Sequence, residues 1–233
     1  MLVCYNAQKE MSELQSIQVR PVSAVEAVCA ALENDIYSIN YLPGERIVEG
    51  DLASRYCVSR NTVREAVAFL ISSGLLVKEV NKGIYVRKIS SDDIREIFHL
   101  RELLENEAIR MILSCEAIPV ELMQLAEKIE HIDPVVDWDA HIDADIAFHE
   151  TLIKAAKSTR LAKLYDCIIA EVKLCIYQSH TKVPTKKENI HQHHEILKAM
   201  RQDDLQTATY LLSQHIESAI RSYEACFRAS ETT

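Results

Sequence analysis

The stretch that decides the fold is Asp51–Leu76, DLASRYCVSRNTVREAVAFLISSGLL. Its pattern predicts a helix, a tight turn and a second helix, and Ser59 supplies a hydroxyl suited to the N-cap of that second helix. Apolar side chains recur along the second helix at i, i+4, i+7 and i+8, which predicts one buried stripe: Val63, Val67, Leu70 and Ile71. The segment therefore predicts a helix–turn–helix whose second helix packs by one face.

Three polar residues stand at the start of the second helix, mostly off the buried stripe: Arg60, Asn61 and Arg64. In the major groove of DNA an arginine can bond guanine O6 and N7, and an asparagine can bond adenine. The alternative is a helix start that is simply hydrated, and these three residues alone favour the two interpretations equally. The neighbouring elements decide between them.

Two short β-like runs follow the glycine at position 74, at residues 75–80 and 84–88. The loop between them is Asn81-Lys82-Gly83, and a short loop with a glycine that tolerates positive φ predicts a hairpin. A helix–turn–helix followed by a hairpin is the arrangement of a winged helix–turn–helix.

This part of the chain resembles the GntR family of bacterial transcription regulators. The resemblance rests on four motifs in the expected order: Leu42-Pro43-Gly44-Glu45-Arg46-Ile47, Leu52-Ala53, Val58-Ser59-Arg60-Asn61-Thr62-Val63-Arg64-Glu65-Ala66, and Gly74-Leu75 followed by Gly83. It implies a DNA-binding domain, and we assign eight residues to its contact surface: Arg55, Ser59, Arg60, Asn61, Thr62, Arg64, Lys82 and Gly83.

The motifs depart from the family pattern at three places. Cys57 stands where the family usually has a glycine in the turn, and Asn61-Thr62 replaces a usual Thr-Pro. Gly50 sits where some members place a DNA-contacting arginine, so no contact is assigned to it.

Charge is distributed unevenly along the chain. All of the formal net charge of −9 lies after residue 88, because residues 1–88 hold 10 basic and 10 acidic residues. An acidic C-terminal part disfavours general coating of DNA and leaves a local cationic patch for phosphate contacts: Arg55, Arg60, Arg64, Lys82 and Arg87. This distribution predicts site-specific binding with a salt-dependent affinity.

Composition bounds the class of protein. A chain of 233 residues that is 48% hydrophobic, with only 4 glycines and 5 prolines, predicts a helix-rich globular protein of one or two domains. Seven cysteines without a C-x-x-C pair predict reduced thiols and a cytoplasmic location. Neither a signal peptide nor a run of about 18 apolar residues is present, so we expect no membrane partner.

Strand signals nearly vanish from Asp92 onward, and six helices are predicted there: residues 92–114, 119–131, 138–157, 159–179, 185–201 and 203–229. An earlier helix is predicted over Pro21–Tyr37, with Ser23 and Glu26 at capping-box spacing. The fold class is therefore mainly α. The predicted parts are an N-terminal arm (1–19), the winged helix–turn–helix (20–88) and an all-helical bundle for effector binding and dimerisation (89–233).

Four polar residues interrupt the apolar stripes of the predicted bundle: Asp145, His149, His193 and His215. The first two are four residues apart, which places them on one helix face. One buried histidine is more often a hydrogen-bonded core residue than a ligand, but three joined by an aspartate reverse that preference. An Asp/His₃ set suits a divalent transition metal, with imidazole favouring Zn or Ni and the carboxylate also allowing Mn.

The helical part resembles the FCD ligand-binding domain of the FadR-type branch of GntR regulators. The resemblance rests on Asp145-x-x-x-His149, on His193-x-x-Ile196-Leu197, and on His215 twenty-two residues after His193. It implies that these four polar positions bind a metal and that a small carboxylate effector completes the coordination. The sequence departs from the family pattern at two positions, with Ser158 in place of an asparagine and Gln192 in place of a glutamate. The change at position 192 puts a hydrogen-bond partner of the ligands in doubt. His191 and His194 are alternative ligands beside His193.

Arg101 and Glu105 interrupt the apolar stripe of the predicted helix 92–114 at i and i+4. They form either an internal or dimer-facing salt bridge, or an effector site in which Arg101 holds a carboxylate with its planar fork. The family resemblance favours the second interpretation, so both residues are assigned to effector binding.

The leading hypothesis is a homodimeric, metal-dependent transcription regulator, not an enzyme, that binds a pseudo-palindromic operator and senses a small organic acid. Repression that is released by the effector is the expected mode. One alternative is a metal-dependent enzyme acting on a small carboxylate, although no further carboxylate or histidine is placed as a general base. The other is a metal-free regulator that senses a larger acyl ligand.

Overall fold

A computed structural model describes residues 23–114, 118–179 and 191–231. The predicted arm (1–19), the first residues of the helix predicted to begin at Pro21, and residues 185–190 of the predicted fifth helix of the bundle lie outside these ranges. Nine helices and three strands occur in the described ranges: α1 (Ala24–Tyr37), β1 (Arg46–Ile47), α2 (Glu49–Arg55), α3 (Arg60–Ser72), β2 (Leu76–Glu79), β3 (Gly83–Val86), α4 (Ser91–Leu113), α5 (Val120–His131), α6 (Trp138–Ala155), α7 (Thr159–Ser179), α8 (Gln192–Arg201) and α9 (Leu205–Glu231).

Local capping signals fix the starts of two helices in the N-terminal domain. Ser23 and Glu26 form the predicted capping box of α1, with the Glu26 amide 3.1 Å from Ser23 Oγ and the Ser23 amide 2.9 Å from Glu26 Oε2. Ser59 caps α3 by accepting a 3.1 Å bond from the Thr62 amide. Both predictions are confirmed, and α1 and α3 then bury their apolar faces against each other in the core of this domain.

A three-stranded antiparallel sheet in the order β1–β3–β2 completes the winged helix. The predicted hairpin is confirmed, since Leu76 pairs with Val86 and Glu79 with Gly83. Strand β1 was not predicted, and it pairs Arg46 with Tyr85. Two residues are too few to show the alternation of apolar and polar side chains that predicts a strand. The segment is a strand because it pairs with β3.

The turn between α2 and α3 explains one departure from the family pattern. Cys57 has φ of +54°, in the left-handed region that glycine adopts without steric cost. A side chain there costs about 1–2 kcal/mol. The fold therefore keeps the turn geometry that the usual glycine would supply, and Cys57 adopts it at the cost of backbone strain.

The C-terminal domain is the predicted all-helical bundle, and the fold class is confirmed. Helix α4 runs through it and packs against α6, α7 and α9, while α8 packs on α9 and α5 on α6. Phe98 and Phe148 are among the largest side chains in its interior. Within the described ranges, each helix is too short or too polar to cross a membrane.

The two domains meet at α7. Arg87, at the end of the wing, reaches Glu171 of α7 at 2.8 Å and Asp93 of α4 at 3.0 Å. Its guanidinium is thus held in the domain junction, and the contribution of Arg87 to the phosphate-binding patch stays a prediction alongside this structural role. Gln178 of α7 also holds this segment, because its amide nitrogen donates to the Arg87 carbonyl at 2.7 Å and its oxygen accepts from the Ile89 amide at 3.1 Å.

We expect Gly74→Ala to destabilise the protein more than Gly44→Ala does. The two glycines have nearly the same φ, +80° and +81°, so each substitution incurs a similar backbone strain of about 1–2 kcal/mol. An added Cβ at Gly44 meets open space, whereas at Gly74 it overlaps the carboxylate of Glu171. Displacing that carboxylate weakens its bond to Arg87, which adds about 1 kcal/mol.

Denaturant unfolding of the two variants measures this difference directly, and the matched φ values make Gly44→Ala the control. Equal losses in the free energy of unfolding would contradict the assignment of Gly74 as a contact point between the domains.

Candidate DNA-binding surface and metal centre

The start of α3 presents the three polar residues that the sequence singles out. Arg60, Asn61 and Arg64 are exposed, while the opposite face of the helix is buried. Arg64 has 66% of its side chain exposed, and its nearest acidic group is Glu49, with 3.8 Å between Nε and Oε2. So weak a pairing leaves the Arg64 guanidinium available to a ligand.

The predicted contacts Ser59 and Thr62 have a structural role in this surface. Their hydroxyls lie 2.9 Å apart, and Ser59 Oγ also accepts from the Thr62 amide. The cap fixes the first turn of α3 and so fixes the direction of the neighbouring arginines.

Arg55, also predicted to contact DNA, is held by its own domain. Its guanidinium lies 2.9 Å from the buried carboxylate of Asp35, at the end of α1, and 5.7 Å from the ring centres of Tyr41 and Tyr56. Tyr56 donates a second bond to Asp35 at 2.7 Å. The side chain is still 49% exposed, so its contribution to DNA binding remains a prediction alongside this structural role.

The wing carries one predicted cation and one that the sequence analysis missed. Lys82 is 72% exposed and lies 3.0 Å from Glu79. Arg46 of β1 packs over Gly83, where an added Cβ would stand 3.1 Å from its Nε. The pairing of β1 with β3 creates this neighbourhood, and nothing in the local sequence of Arg46 indicates it.

Three helices bring the four predicted ligands together: α6 supplies Asp145 and His149, α8 supplies His193, and α9 supplies His215. One donor atom from each lies within 4.8 Å of all the others. Nε2 of His149 is 3.2 Å from Nε2 of His215 and 3.4 Å from Nε2 of His193, which is itself 3.1 Å from Asp145 Oδ1. Atoms that are each about 2.1 Å from a shared ion have separations of about 3.0–3.4 Å, so these three distances fit a common metal.

Two of the histidines have hydrogen-bond partners that fix their orientation. Nδ1 of His149 donates to Glu105 Oε2 at 2.7 Å, and Nδ1 of His215 donates to Gln192 Oε1 at 2.8 Å. Gln192 thus occupies the partner position that its departure from the family pattern put in doubt. With their protons on Nδ1, both imidazoles direct an Nε2 lone pair at the same point, which is the arrangement a metal ligand needs.

The facing lone pairs suit a cation placed between them. Burial and the nearby positive charge of Arg101 lower the pKa of His149, and burial and the neighbouring imidazoles hold the pKa of His215 well below its usual range. Neutral histidines facing each other at 3.2 Å repel unless an electrophile separates them. The donor set therefore fits a divalent transition metal, and His193 Nδ1 has no hydrogen-bond partner within the described ranges.

Glu105 is fully buried and joins three helices. Besides His149, it accepts 2.8 Å from Arg101 Nε on its own helix and 2.9 Å from the Tyr165 hydroxyl of α7. Burial alone would raise the pKa of Glu105, but His149 and Arg101 outweigh it and lower the pKa to about 2. The carboxylate is therefore ionised, and it accepts hydrogen bonds from three side chains. Glu105 was predicted to bind the effector, whereas its contacts are those of a group that orients His149.

The remaining histidines near the centre behave differently. His191 and His194, the alternative ligands, lie 2.8 and 2.9 Å from the carboxylate of Glu130 on α5. They are thus paired away from the cluster. His141, to which the sequence analysis assigned no role, is buried one turn before Asp145, and burial lowers its pKa.

A winged helix–turn–helix joined to a helical bundle is an architecture of transcription regulators. Two family descriptions match the chain: "Bacterial regulatory proteins, gntR family" over residues 24–86 and "FCD domain" over residues 96–218. The chain belongs to the GntR family and carries an FCD domain, as the sequence analysis predicted.

Similar proteins agree with this assignment. The chain is 30% identical over 208 residues to the HTH-type transcriptional regulator BphR of Paraburkholderia xenovorans, covering 85% of this chain and 84% of the relative. It is 26% identical over 212 residues to the HTH-type transcriptional repressor RspR of Escherichia coli, covering 88% and 91%. A crystal structure of a GntR transcriptional regulator from Rhodococcus sp. RHA1 superposes with a TM-score of 0.74 at 27% identity, covering 85% and 96%.

The protein is therefore a DNA-binding transcription regulator. Its homologues and fold are those of transcription regulators and not of enzymes, in agreement with the prediction. GntR regulators bind DNA operators and are typically dimeric.

Proposed function

We propose that this regulator holds a divalent transition metal at Asp145, His149, His193 and His215, and that a small carboxylate effector bound at this centre changes operator affinity. The observation that carries the proposal is the convergence of four donor atoms from three helices, two of them oriented by Glu105 and Gln192. FCD domains are often associated with a metal, which supports the same interpretation.

The number of donors constrains the metal. Four protein donors fill a tetrahedral shell, so an effector can coordinate only to an ion that accepts a fifth or sixth ligand. Ni²⁺ and Mn²⁺ do so readily, and Zn²⁺ does so when it expands to five ligands. The three histidines favour Ni²⁺ or Zn²⁺ over Mn²⁺, which prefers oxygen ligands.

Arg101 is the residue we assign to the effector, and Glu105 we assign to positioning His149. Arg101 is 3% exposed, and its bond to Glu105 uses only Nε, while its guanidinium stacks at 5.3 Å from the ring centre of Phe98. A buried guanidinium near a metal centre supplies a second positive group for an organic acid.

At the operator, we propose that Arg60, Asn61 and Arg64 enter the major groove while Lys82 and Arg46 of the wing contact the backbone or the minor groove. Gly83 allows the wing backbone a close approach because it has no side chain. In a two-fold dimer the two α3 helices then bind equivalent half-sites, so the operator is a short pseudo-palindrome.

Helix α7 provides a direct physical connection between the two sites. Tyr165, near its start, bonds the carboxylate that orients His149, and Gln178, near its end, holds the segment between the wing and α4. Over these 13 residues a helix spans about 20 Å. We propose that effector binding shifts the population of α7 positions and so the spacing of the DNA-binding domains in the dimer, which releases the operator.

We expect Arg64→Ala to lower affinity for a selected operator by about 10- to 100-fold, the value of one bidentate base contact, while affinity for random DNA falls much less. Arg55→Ala is the matched control, because Arg55 is held by Asp35; it should reduce stability more and operator affinity less. The operator is obtained by selection from a random library with the wild-type protein, and affinities are compared by fluorescence anisotropy. Unchanged operator affinity of Arg64→Ala would show that the docking arrangement is wrong.

The metal assignment predicts close to one transition metal per chain in protein purified without a chelator or a histidine tag. His193→Ala should lose it, because three donors remain, and His194→Ala should retain it, because His194 pairs with Glu130. Inductively coupled plasma mass spectrometry gives both values. Absence of metal from wild-type protein, even after reloading, would contradict the proposal and favour the metal-free regulator of a larger ligand.

The connection through α7 predicts that Gln178→Ala weakens communication without removing either site. Removing metal should change the operator affinity of the wild-type protein, and coupling of this kind is typically about 5- to 150-fold. In Gln178→Ala that change should shrink, while metal content stays normal. Asp166→Ala, on the exposed side of α7, is the control. An undiminished response in Gln178→Ala would exclude α7 as the connection.

A further inference from the structure

An interdomain groove lies where the end of α1 faces α6 and α7. Its volume is about 540 Å³, which is within the range of small-molecule sites, and such sites often lie between domains. Tyr37 and Ile39 line it from the winged helix, and Asp139, Asp143 and Tyr177 line it from the bundle. A ligand in this groove therefore contacts both domains at once.

The interdomain groove is a different site from the donor cluster. Asp143 and Asp145 are two residues apart on α6, so their side chains leave the helix about 200° apart around its axis. Asp145 belongs to the donor cluster, whereas Asp143 lines the groove. The two sites thus lie on different faces of the same helix.

Aromatic rings supply the apolar part of the groove. Tyr37 and Tyr177 stack with 5.0 Å between their ring centres, and Trp138 meets Tyr177 edge-on at 5.7 Å. Both tyrosines are anchored through their hydroxyls, since Tyr37 donates to the Ala170 carbonyl at 3.4 Å and Tyr177 donates to Asp143 Oδ1 at 3.3 Å. The faces of such rings carry partial negative charge and attract cations.

Two carboxylates add full negative charge beside these rings. Asp139 and Asp143 are exposed and lie one turn apart on α6, and none of the described residues that line the groove is basic. Their field reaches the aromatic wall, because burial, Asp143 and Asp139 together raise the pKa of Tyr177 to about 12. The groove therefore combines a negative potential with an aromatic surface.

An adjoining hollow of about 290 Å³ shares the two tyrosines and Asp143, but its charge is balanced differently. It includes Lys173, whose Nζ lies 2.9 Å from Glu150 Oε1. This ion pair supplies a cation within the hollow itself. The uncompensated carboxylates are thus those of the larger groove.

The backbone at the end of α1 supports a binding role for the groove. Ile39 has φ of +58°, a conformation that a β-branched residue rarely adopts. Strained residues of this kind are concentrated at functional sites. A glycine would adopt the turn freely but would leave no side chain in the wall. The strained isoleucine thus completes the apolar lining.

We propose that the interdomain groove binds a small organic cation, specifically a primary amine carried on an aromatic body. Its ammonium group pairs with Asp139 and Asp143, and its ring packs against Tyr177 and Ile39. Because the two walls belong to different domains, the bound amine favours the domain arrangement that forms the groove. The inference does not rest on the metal-dependent effector site.

Three probes of nearly the same size and shape test the proposal: 2-phenylethylamine, 2-phenylethanol and 3-phenylpropanoate, whose charges at neutral pH are plus one, zero and minus one. Wild-type protein is titrated with each by isothermal calorimetry. We expect the amine to bind at least about tenfold more tightly than either of the others, which corresponds to about 1.4 kcal/mol. The alcohol or the acid binding as tightly as the amine would overturn the inference, as would absence of amine binding at millimolar concentration.

Trp138 reports where the amine binds, because it is the one tryptophan of the chain and contacts Tyr177 of the groove. We expect its fluorescence to change as the amine is added, with the same midpoint as the calorimetric titration. Heat of binding without a change in fluorescence would place the amine elsewhere on the protein and overturn the assignment of the groove.

Asp143→Asn supplies the last measurement, since it removes one charge from the groove and keeps the size of the side chain. The affinity for the amine should fall by about tenfold, toward that of the alcohol. Asp166→Asn, on the exposed side of α7, is the matched control and should leave the affinity unaltered. Unchanged binding in Asp143→Asn contradicts the proposal. If that variant does not fold, the wild-type ranking of the three probes still decides the question.

Discussion

One buried carboxylate sets the arrangement of the C-terminal domain. Glu105 receives bonds from its own helix, from His149 of α6 and from Tyr165 of α7, and none of these partners is exposed enough for water to replace it. An ionised group in the interior is tolerated only when such donors surround it. The positions of α4, α6 and α7 are therefore set together, and the orientation of His149 is a consequence of that packing.

Helix α7, which donates to Glu105 through Tyr165, also attaches the DNA-binding domain to the bundle. Arg87 is held between α4 and α7, and Tyr37 of α1 stacks on Tyr177 with 5.0 Å between ring centres. The junction thus includes directional bonds and a stacked aromatic pair. Under the proposed function, an effector would act by shifting this junction between two arrangements.

Sequence reasoning succeeded where the information was local or periodic. The hydroxyls of Ser23 and Ser59, the hairpin glycine and the inward stripes all act within one turn or one loop, and the structure has each where it was predicted. It failed where a role depends on a partner far along the chain. Glu105 and Tyr165 are 60 positions apart, and Arg87 and Glu171 are 84 positions apart. Nothing in the sequence indicates that the members of either pair will be in contact. Strand β1 and the contact of Arg46 with Gly83 were missed for the same reason.

The order of the elements along the chain has a consequence for biosynthesis. The winged helix precedes the bundle along the chain, so it leaves the ribosome while later segments are still being added. The donor cluster closes only when α9 arrives with His215, 66 residues after His149. During translation, the DNA-binding part of each molecule is therefore made before the donor cluster is complete. Under the proposed function, an interrupted synthesis would leave a DNA-binding domain without its effector site.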